Sequence, residues 1–465
     1  MNNMKINRLK IVNYKLFQNV TIEMNENINI FVGENDSGKS TILEALSMVL
    51  TGKINGSSVA NRLNLDWFNA QVRQKFKESI ETGNTPDLPT IEIEVYFASP
   101  DEDEIAIKKY RGTNNSLHED AEGVKLEIIF DTQYAPAYKQ LLVEGKVRDI
   151  PVEYYRVNFR SFANPEYYVQ TTARKVACID TTKKDYGPVL SRFVSTSINE
   201  YLSEEDMTEL RHAYRANRHE FTENQAVIRL NQKLQEGHSF DGKTIGLKLR
   251  SRFEGYRDCI AEQATDKQLL EWFSETTLLV SQEGPIPQMT AVQQALERCF
   301  ADLIDHDETQ RVKVEYRQRY RTVVVEYTNR SGEHELHPMY EMSDGYHSVL
   351  SMVADIAHRM AVLNPQLGDA ILETPGIIII DEVELHLHPG WRKRILKDLT
   401  SVFPNIQFIV STYSPEVITS YKEANLILLK HEGSATQIES AYGKDVNTVF
   451  RSILLVRDRP TEIEE

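Results

Sequence analysis

The run Gly33, Glu34, Asn35, Asp36, Ser37, Gly38, Lys39, Ser40, Thr41 constrains this chain more than any other stretch. Its spacing is that of a phosphate-binding loop, G-x-x-x-x-G-K-[ST]. Both flanks fit. Ile28 to Val32 is a short apolar strand, and Ser40 to Leu50 sets Ile42, Leu43, Leu46, Val49 and Leu50 at helical spacing. Strand, glycine-rich turn and helix start together aim backbone N–H groups and the positive end of the helix dipole at an anion. The whole run is therefore the expected nucleotide-binding set.

At 465 residues the chain can bury a large core in more than one lobe. Three parts are expected: an N-terminal ATPase lobe over 1–182, a mainly helical insertion over 183–305 suited to interaction or dimerisation, and a C-terminal lobe over 306–465. Hydrophobic content of 41% and charged content of 26% are those of a soluble globular protein. No apolar run approaches a membrane span, and the first ten residues carry no apolar signal core, so no membrane partner is expected. Cys178, Cys259 and Cys299 lie far apart and form no C-x-x-C pair, which fits a cytoplasmic location. A net charge of −16 weighs against a protein that coats nucleic acid directly.

Along the chain, Lys5 to Val12 and the Val20-Ile22-Met24 segment read as strands. Thr51 to Ser58 reads as a loop, and Asn61 to Ile80 as one helix with a polar face. Ile91, Ile93, Val95 and Phe97 alternate with Glu92 and Glu94, which predicts a strand with its acidic face exposed. Val124 to Phe130 and Val152 to Phe159 are further strands. Arg156, Arg160, Arg174 and Lys175 interleave with Tyr155, Phe159, Phe162, Tyr167 and Tyr168, a pattern that serves either a nucleic-acid groove or a core. From Tyr186 to Phe273 the periodicity turns helical. Val312 to Thr328 is a β-hairpin with Arg317, Arg319 and Arg321 near its turn.

The second chemical landmark is G-I-I-I-I-D from Gly376 to Asp381, followed by Glu382. So continuous an apolar run is a buried parallel strand, and it delivers its acidic pair to the crevice where open α/β sheets bind ligands. Asp381 suits the outer shell of a Mg2+ ion whose direct ligand is Ser40 Oγ. Glu382 suits the carboxylate that orients or deprotonates the attacking water. Met342-Ser343-Asp344-Gly345-Tyr346 opens a helix some thirty residues earlier and forms another anion cradle. One triphosphate cannot easily use both cradles of one chain, so Ser343, Asp344 and Gly345 are expected to serve a neighbouring subunit. The pair His386 and His388 supplies too few ligands for a metal of its own.

Phosphate loop, M-S-D-G-Y, I-I-I-I-D-E and the H-L-H-P loop, in that order, resemble the ABC-type ATPases of the SMC/RecF/OLD group. The resemblance implies an α/β fold: an ABC-type, RecF/SMC-like P-loop ATPase head with a helical insertion. It also implies two heads that sandwich ATP. Between Ser343 and Pro415, the runs H-L-H-P-G-W and F-P-N-I-Q-F-I-V-S-T-Y-S-P are similar to ATPases of bacterial anti-phage systems, notably the Septu ATPase PtuA and its retron-associated relatives. That similarity implies a homo-oligomer whose nucleotide-dependent assembly controls an HNH-type nuclease subunit, with nucleic acid met through the partner.

One departure stands out. The group usually carries a histidine where this chain has Tyr413, in S-T-Y-S-P. Tyrosine keeps a hydroxyl but gains no positive charge near neutral pH, so a weak switch and slow hydrolysis are expected. No glutamine stands out as the group's Q-loop. Only about fifty residues follow Pro415, so this chain is not itself expected to be the nuclease. Two other readings remain at this stage: a RecF-like repair ATPase that binds DNA directly, and a scaffold locked by nucleotide with little turnover.

Overall fold

The computed structural model describes residues 4–54, 57–98, 110–163, 176–180, 262–304, 312–328, 332–342, 344–385 and 387–454. Its centre is a six-stranded sheet in the order Val176–Asp180, Gly376–Asp381, Ile406–Ser411, Ile28–Val32, Asn425–Leu429, Ala435–Ile438. The first five strands are parallel and the last is antiparallel. Side chains alternate between sheet faces, so a strand buried on both sides has no polar face to show. Ile377 and Ile379 enter one core cluster, while Ile378 and Ile380 enter the other. Two-sided burial is thus the physical reason for four consecutive isoleucines.

The helix Lys39–Thr51 fills one face. It lies between this sheet and an antiparallel sheet ordered Phe17–Glu23, Lys5–Tyr14, Ile91–Ala98, Ala121–Phe130, Arg111–Gly112, with Tyr155–Ser161 also paired to Ala121–Phe130. Ile42, Leu46 and Val49 of the helix share a core with Ile11, Ile93 and Leu126 on one side and Ile377, Ile379 and Ile409 on the other. Flanked by two sheets, the helix is buried on more than its apolar stripe. Gly52, at φ 68°, then ends it with a backbone bond to the Met48 carbonyl.

The helices Glu262–Glu283, Pro287–Ile304 and Asp344–Leu363 cover the opposite face. Phe273, Val292, Leu296 and Phe300 share their core with Val349, Val353 and Ile356 and with Ile378 and Ile380 of the central sheet. The part of the expected insertion within 262–304 therefore shares a core with the central sheet. The rest of that insertion, 183–261 and residue 305, lies outside the described residues.

Several local expectations need correction. Asn61 to Ile80 is not one helix: Val59–Arg62, a turn at Leu65–Trp67 and the helix Ala70–Glu81 replace it. Trp67 and Phe68 are buried at this break, and Asn69 accepts the Gln71 N–H as the new helix cap. The Thr51–Ser58 loop contains a small pairing of Lys53–Ile54 with Ser57–Ser58. Val152–Tyr154 is a helical turn, and the strand begins at Tyr155.

The acidic face of Ile91–Ala98 is covered as well. Glu94 is 1% exposed and accepts the Ser116 N–H at 2.7 Å, the Ser116 hydroxyl at 2.6 Å and the Tyr96 hydroxyl at 2.9 Å. Among the interleaved aromatics, Tyr155 packs edge-on to Phe68 and Phe130, and Phe162 packs on Tyr96. Arg160 pairs with Glu127 at 3.5 Å. Tyr155 and Phe162 thus belong to core, Phe159 and Arg160 are half-buried and Arg156 is exposed, while Tyr167, Tyr168, Arg174 and Lys175 lie outside the described residues.

Candidate functional site

The five parallel strands end at the same edge of the sheet, and the segments that follow three of them meet there. Ile28–Val32 delivers the phosphate loop, Gly376–Asp381 the acidic pair, and Ile406–Ser411 the segment Thr412–Ser414. The Thr412 N–H donates to the Phe31 carbonyl at 3.1 Å, so that segment is tied to the strand beneath the loop.

The glycines of the loop are required by space. At Gly33 (φ 155°) a Cβ would stand 2.6 Å from the Leu429 carbonyl oxygen and 2.6 Å from Ser37 Oγ. At Gly38 (φ 97°) it would stand 2.7 Å from Phe17 Cζ. Asp36 also adopts a left-handed backbone, φ 58°, as aspartate tolerates better than most residues. The helix begins at Lys39 with no side chain capping it, so the amides of its first turn face an incoming anion. Ser37 Oγ is buried without a hydrogen-bond partner. Glu34, Asn35, Asp36 and Ser40 are exposed, and Thr41 is half-buried. Outside the loop, Glu34 pairs with His431 at 2.9 Å.

Lys39 folds back over the loop. Its Nζ donates to the carbonyls of Gly33 at 2.9 Å and Glu34 at 2.8 Å, and it lies 3.5 Å from the centre of the Tyr413 ring. Burial lowers its pKa to about 8, against the opposing pull of Asp381, Glu382, Glu384 and Asp36. Burial also pushes the Tyr413 hydroxyl up to about 12, with Glu382 and Asp381 adding to the shift. The tyrosine at this position therefore stays neutral, and its ring face meets the ammonium.

The acidic pair is held by the neighbouring strand. Ser411 Oγ donates to Asp381 Oδ1 and accepts the Glu382 N–H at 2.8 Å, while the Ser411 carbonyl accepts the Val383 N–H at 3.2 Å. Glu382 has φ 50°, the left-handed region that non-glycine residues rarely occupy. Glu384 is buried, with Oε1 accepting the Tyr413 N–H at 2.6 Å.

Gly33, Lys39, Asp381, Glu382 and Tyr413 are thus brought to one edge by contacts or charge coupling. Asp344 and Gly345 open the helix Asp344–Leu363, and none of the contacts above includes them. Ser343 and His386 lie outside the described residues. Near that helix start, Tyr346 packs on Trp391 at 4.1 Å between ring centres and stacks on Phe300 at 5.9 Å. His388 Nδ1 accepts the Gly390 N–H at 3.2 Å and so caps a short helix. No motif in the sequence marks Ser411 or Glu384 as part of the site. Their roles follow from the side-by-side register of two strands and two loops thirty residues apart.

The donor set fits a nucleotide with its magnesium ion. The cradle is cleared of Cβ atoms at two positions, and it contains an orphaned buried hydroxyl at Ser37. Among the described residues no group of three His, Cys, Asp or Glu is placed to hold a metal. A hard cation here would take phosphate oxygens and water beside Ser40 and Asp381, as magnesium does.

A family model described as an AAA ATPase domain matches residues 4–418. The chain is 26% identical over 436 residues to the retron Vc95 probable ATPase of Vibrio cholerae serotype O1 biovar El Tor, spanning 90% of this chain and 73% of that protein. It is 38% identical over 122 residues to the retron Ec83 probable ATPase of Escherichia coli, which is 26% of this chain and 22% of that protein. It is 31% identical over 144 residues to the Septu protein PtuA of Bacillus mycoides strain KBAB4, 30% of this chain and 18% of that protein. For the last two, the similarity spans less than a quarter of the relative's length.

Proposed function

This chain belongs to the AAA ATPase domain family, and from that premise we propose that it is the ATP-binding subunit of an anti-phage defence complex. Its ATP-dependent self-assembly controls a separate nuclease. The observation that carries the reading is the meeting of Lys39, Asp381 and Glu382 over a glycine cradle at one sheet edge. The defence role is supported by similarity to retron and Septu ATPases.

In this reading Gly33 to Thr41 wraps the triphosphate, with Lys39 giving the positive charge and the amides of the first helical turn giving directed donors. Ser40 and Asp381 would hold Mg2+, which would supply charge to neutralise the phosphates. Glu382 takes the proton of the attacking water, and Ser411 fixes the backbone from which Glu382 projects. Ser343, Asp344 and Gly345 complete the site of a second subunit. Tyr413, in place of the histidine usual in the resembling group, leaves the water less well ordered, so turnover is slow. The HNH-type nuclease, not this chain, meets nucleic acid, in the cytoplasm. The burial of Tyr155 and Phe162 supports indirect rather than direct DNA contact.

The test is Glu382→Gln. The variant should bind Mg–ATP, hydrolyse it at least about a hundredfold more slowly, and run as an ATP-stabilised oligomer on size exclusion. Co-expressed with a neighbouring nuclease gene, the trapped form should retain that subunit. An unchanged hydrolysis rate would remove Glu382 from the mechanism, and nuclease activity from the isolated chain would refute the division of labour.

A further inference from the structure

We infer that the Tyr413 ring is an internal cover for Lys39, which nucleotide phosphate must displace, and that Glu384 is the tether holding the cover in place. The inference rests on the nucleotide-site reading above and adds a step to it.

An ammonium has three hydrogens. Two of those on Lys39 go to the Gly33 and Glu34 carbonyls, and the aromatic face lies 3.5 Å from Nζ. The other aromatic–cation contacts among the described residues are looser: Arg8 over Tyr96 at 5.1 Å, Lys15 over Tyr14 at 5.5 Å and Arg319 over Tyr320 at 5.7 Å. The Lys39 contact also lies within a buried setting, where the attraction of a cation to a ring face is strongest.

The ring is placed from its backbone. The Tyr413 N–H donates at 2.6 Å to Glu384, whose carboxylate is buried, and the next residue back is bonded to the phosphate-loop strand. Of the three groups that satisfy Lys39, the two carbonyls are part of the loop itself and move only with it. The ring belongs to another loop and can leave by side-chain rotation. A phosphate oxygen arriving at Lys39 therefore exchanges with the ring. Because the contact between ring and ammonium is lost in the exchange, the cover weakens binding.

The test is equilibrium binding of a fluorescent ATP analogue, mant-ATP with Mg2+, to the full chain. Tyr413→Leu, which removes the π face, should bind about tenfold tighter than the unaltered protein. Tyr413→Phe, which keeps it, should bind less tightly than the leucine variant. In a Lys39→Met background the leucine substitution should give no gain, because the partner of the ring is gone. A second measurement needs no disruptive change. Fluorotyrosine placed at position 413 should show a shifted fluorine resonance on saturation with Mg–mant-ATP. If the unaltered chain shows no binding that Lys39→Met weakens, the nucleotide-site reading itself fails. If binding is present but Tyr413→Leu gives no gain, or the same gain without Lys39, or the resonance stays still, the cover is wrong and the nucleotide site stands.

Discussion

Ser411 holds Glu382 from the adjacent strand: its hydroxyl oxygen accepts the Glu382 N–H at 2.8 Å while donating its own proton to Asp381. Glu382 sits at φ 50°, a conformation that costs on the order of 1–3 kcal/mol and persists only where its surroundings fix it. One serine thus orients both acidic residues, and does so without itself being a candidate ligand. Ser411→Ala should lower kcat by roughly tenfold to a hundredfold while the Kd for Mg–ATP changes by less than threefold. Ser411→Thr, which restores the hydroxyl, should recover most of the rate. A loss shared equally by kcat and affinity would show that the serine supports the loop generally rather than the acidic pair.

Gly38 tests the cradle. Alanine there brings a Cβ within 2.7 Å of the buried Phe17 ring and holds φ at 97°. Strain and overpacking together should cost about 2–4 kcal/mol. A lowered urea midpoint with unchanged m-value reads this directly. Binding of mant-ATP should fall even in the fraction that remains folded, because the helix start must shift away from Phe17.

Glu94 offers a stability test away from the site. Its carboxylate satisfies the Ser116 N–H and hydroxyl and the Tyr96 hydroxyl inside the antiparallel sheet. Glu94→Ala strands these donors and should destabilise by roughly 2–4 kcal/mol. Glu94→Gln keeps an acceptor and should cost less than half as much. Equal losses in the two variants would point to packing rather than hydrogen bonding.

Glu94 also marks the limit of what the chain's order of residues reveals. The period-two pattern of Ile91–Phe97 gives the strand, yet a pattern cannot say what covers its polar face. The cover, Ser116, comes from a loop twenty-two residues on. The same holds at Trp67 and Phe68, whose burial breaks a helix that local propensity would continue. By contrast, the phosphate loop and G-I-I-I-I-D are legible because each is dictated locally, by a turn that admits only glycine and by burial on both faces. The acidic pair was therefore readable, but its holder Ser411 was not, since the register of two strands places it there. Tyr413 was visible only as a departure from a pattern. That its ring meets Lys39 depends on the order of strands in the sheet, which no spacing encodes.

The protonation of Lys39 gives a final prediction with a definite sign. Burial lowers its pKa from 10.5 to about 8, so the charge that attracts phosphate is full below that pH and lost above it. Affinity for Mg–mant-ATP should be level from about pH 7 to 8 and then fall, by up to about tenfold per pH unit, until the bound-state pKa is reached. Stability of the chain without nucleotide should move the other way. Between about 8 and 10.5 the unfolded chain keeps the lysine proton that the folded chain has released, so folding becomes more favourable as pH rises through that window. Lys5, also lowered to about 8 by burial, contributes in the same sense, and subtracting the profile of Lys39→Met isolates the Lys39 share. Lys39→Arg, ionised throughout, should flatten the binding profile. A decline in affinity that persists unchanged in Lys39→Arg would assign the titration to another group.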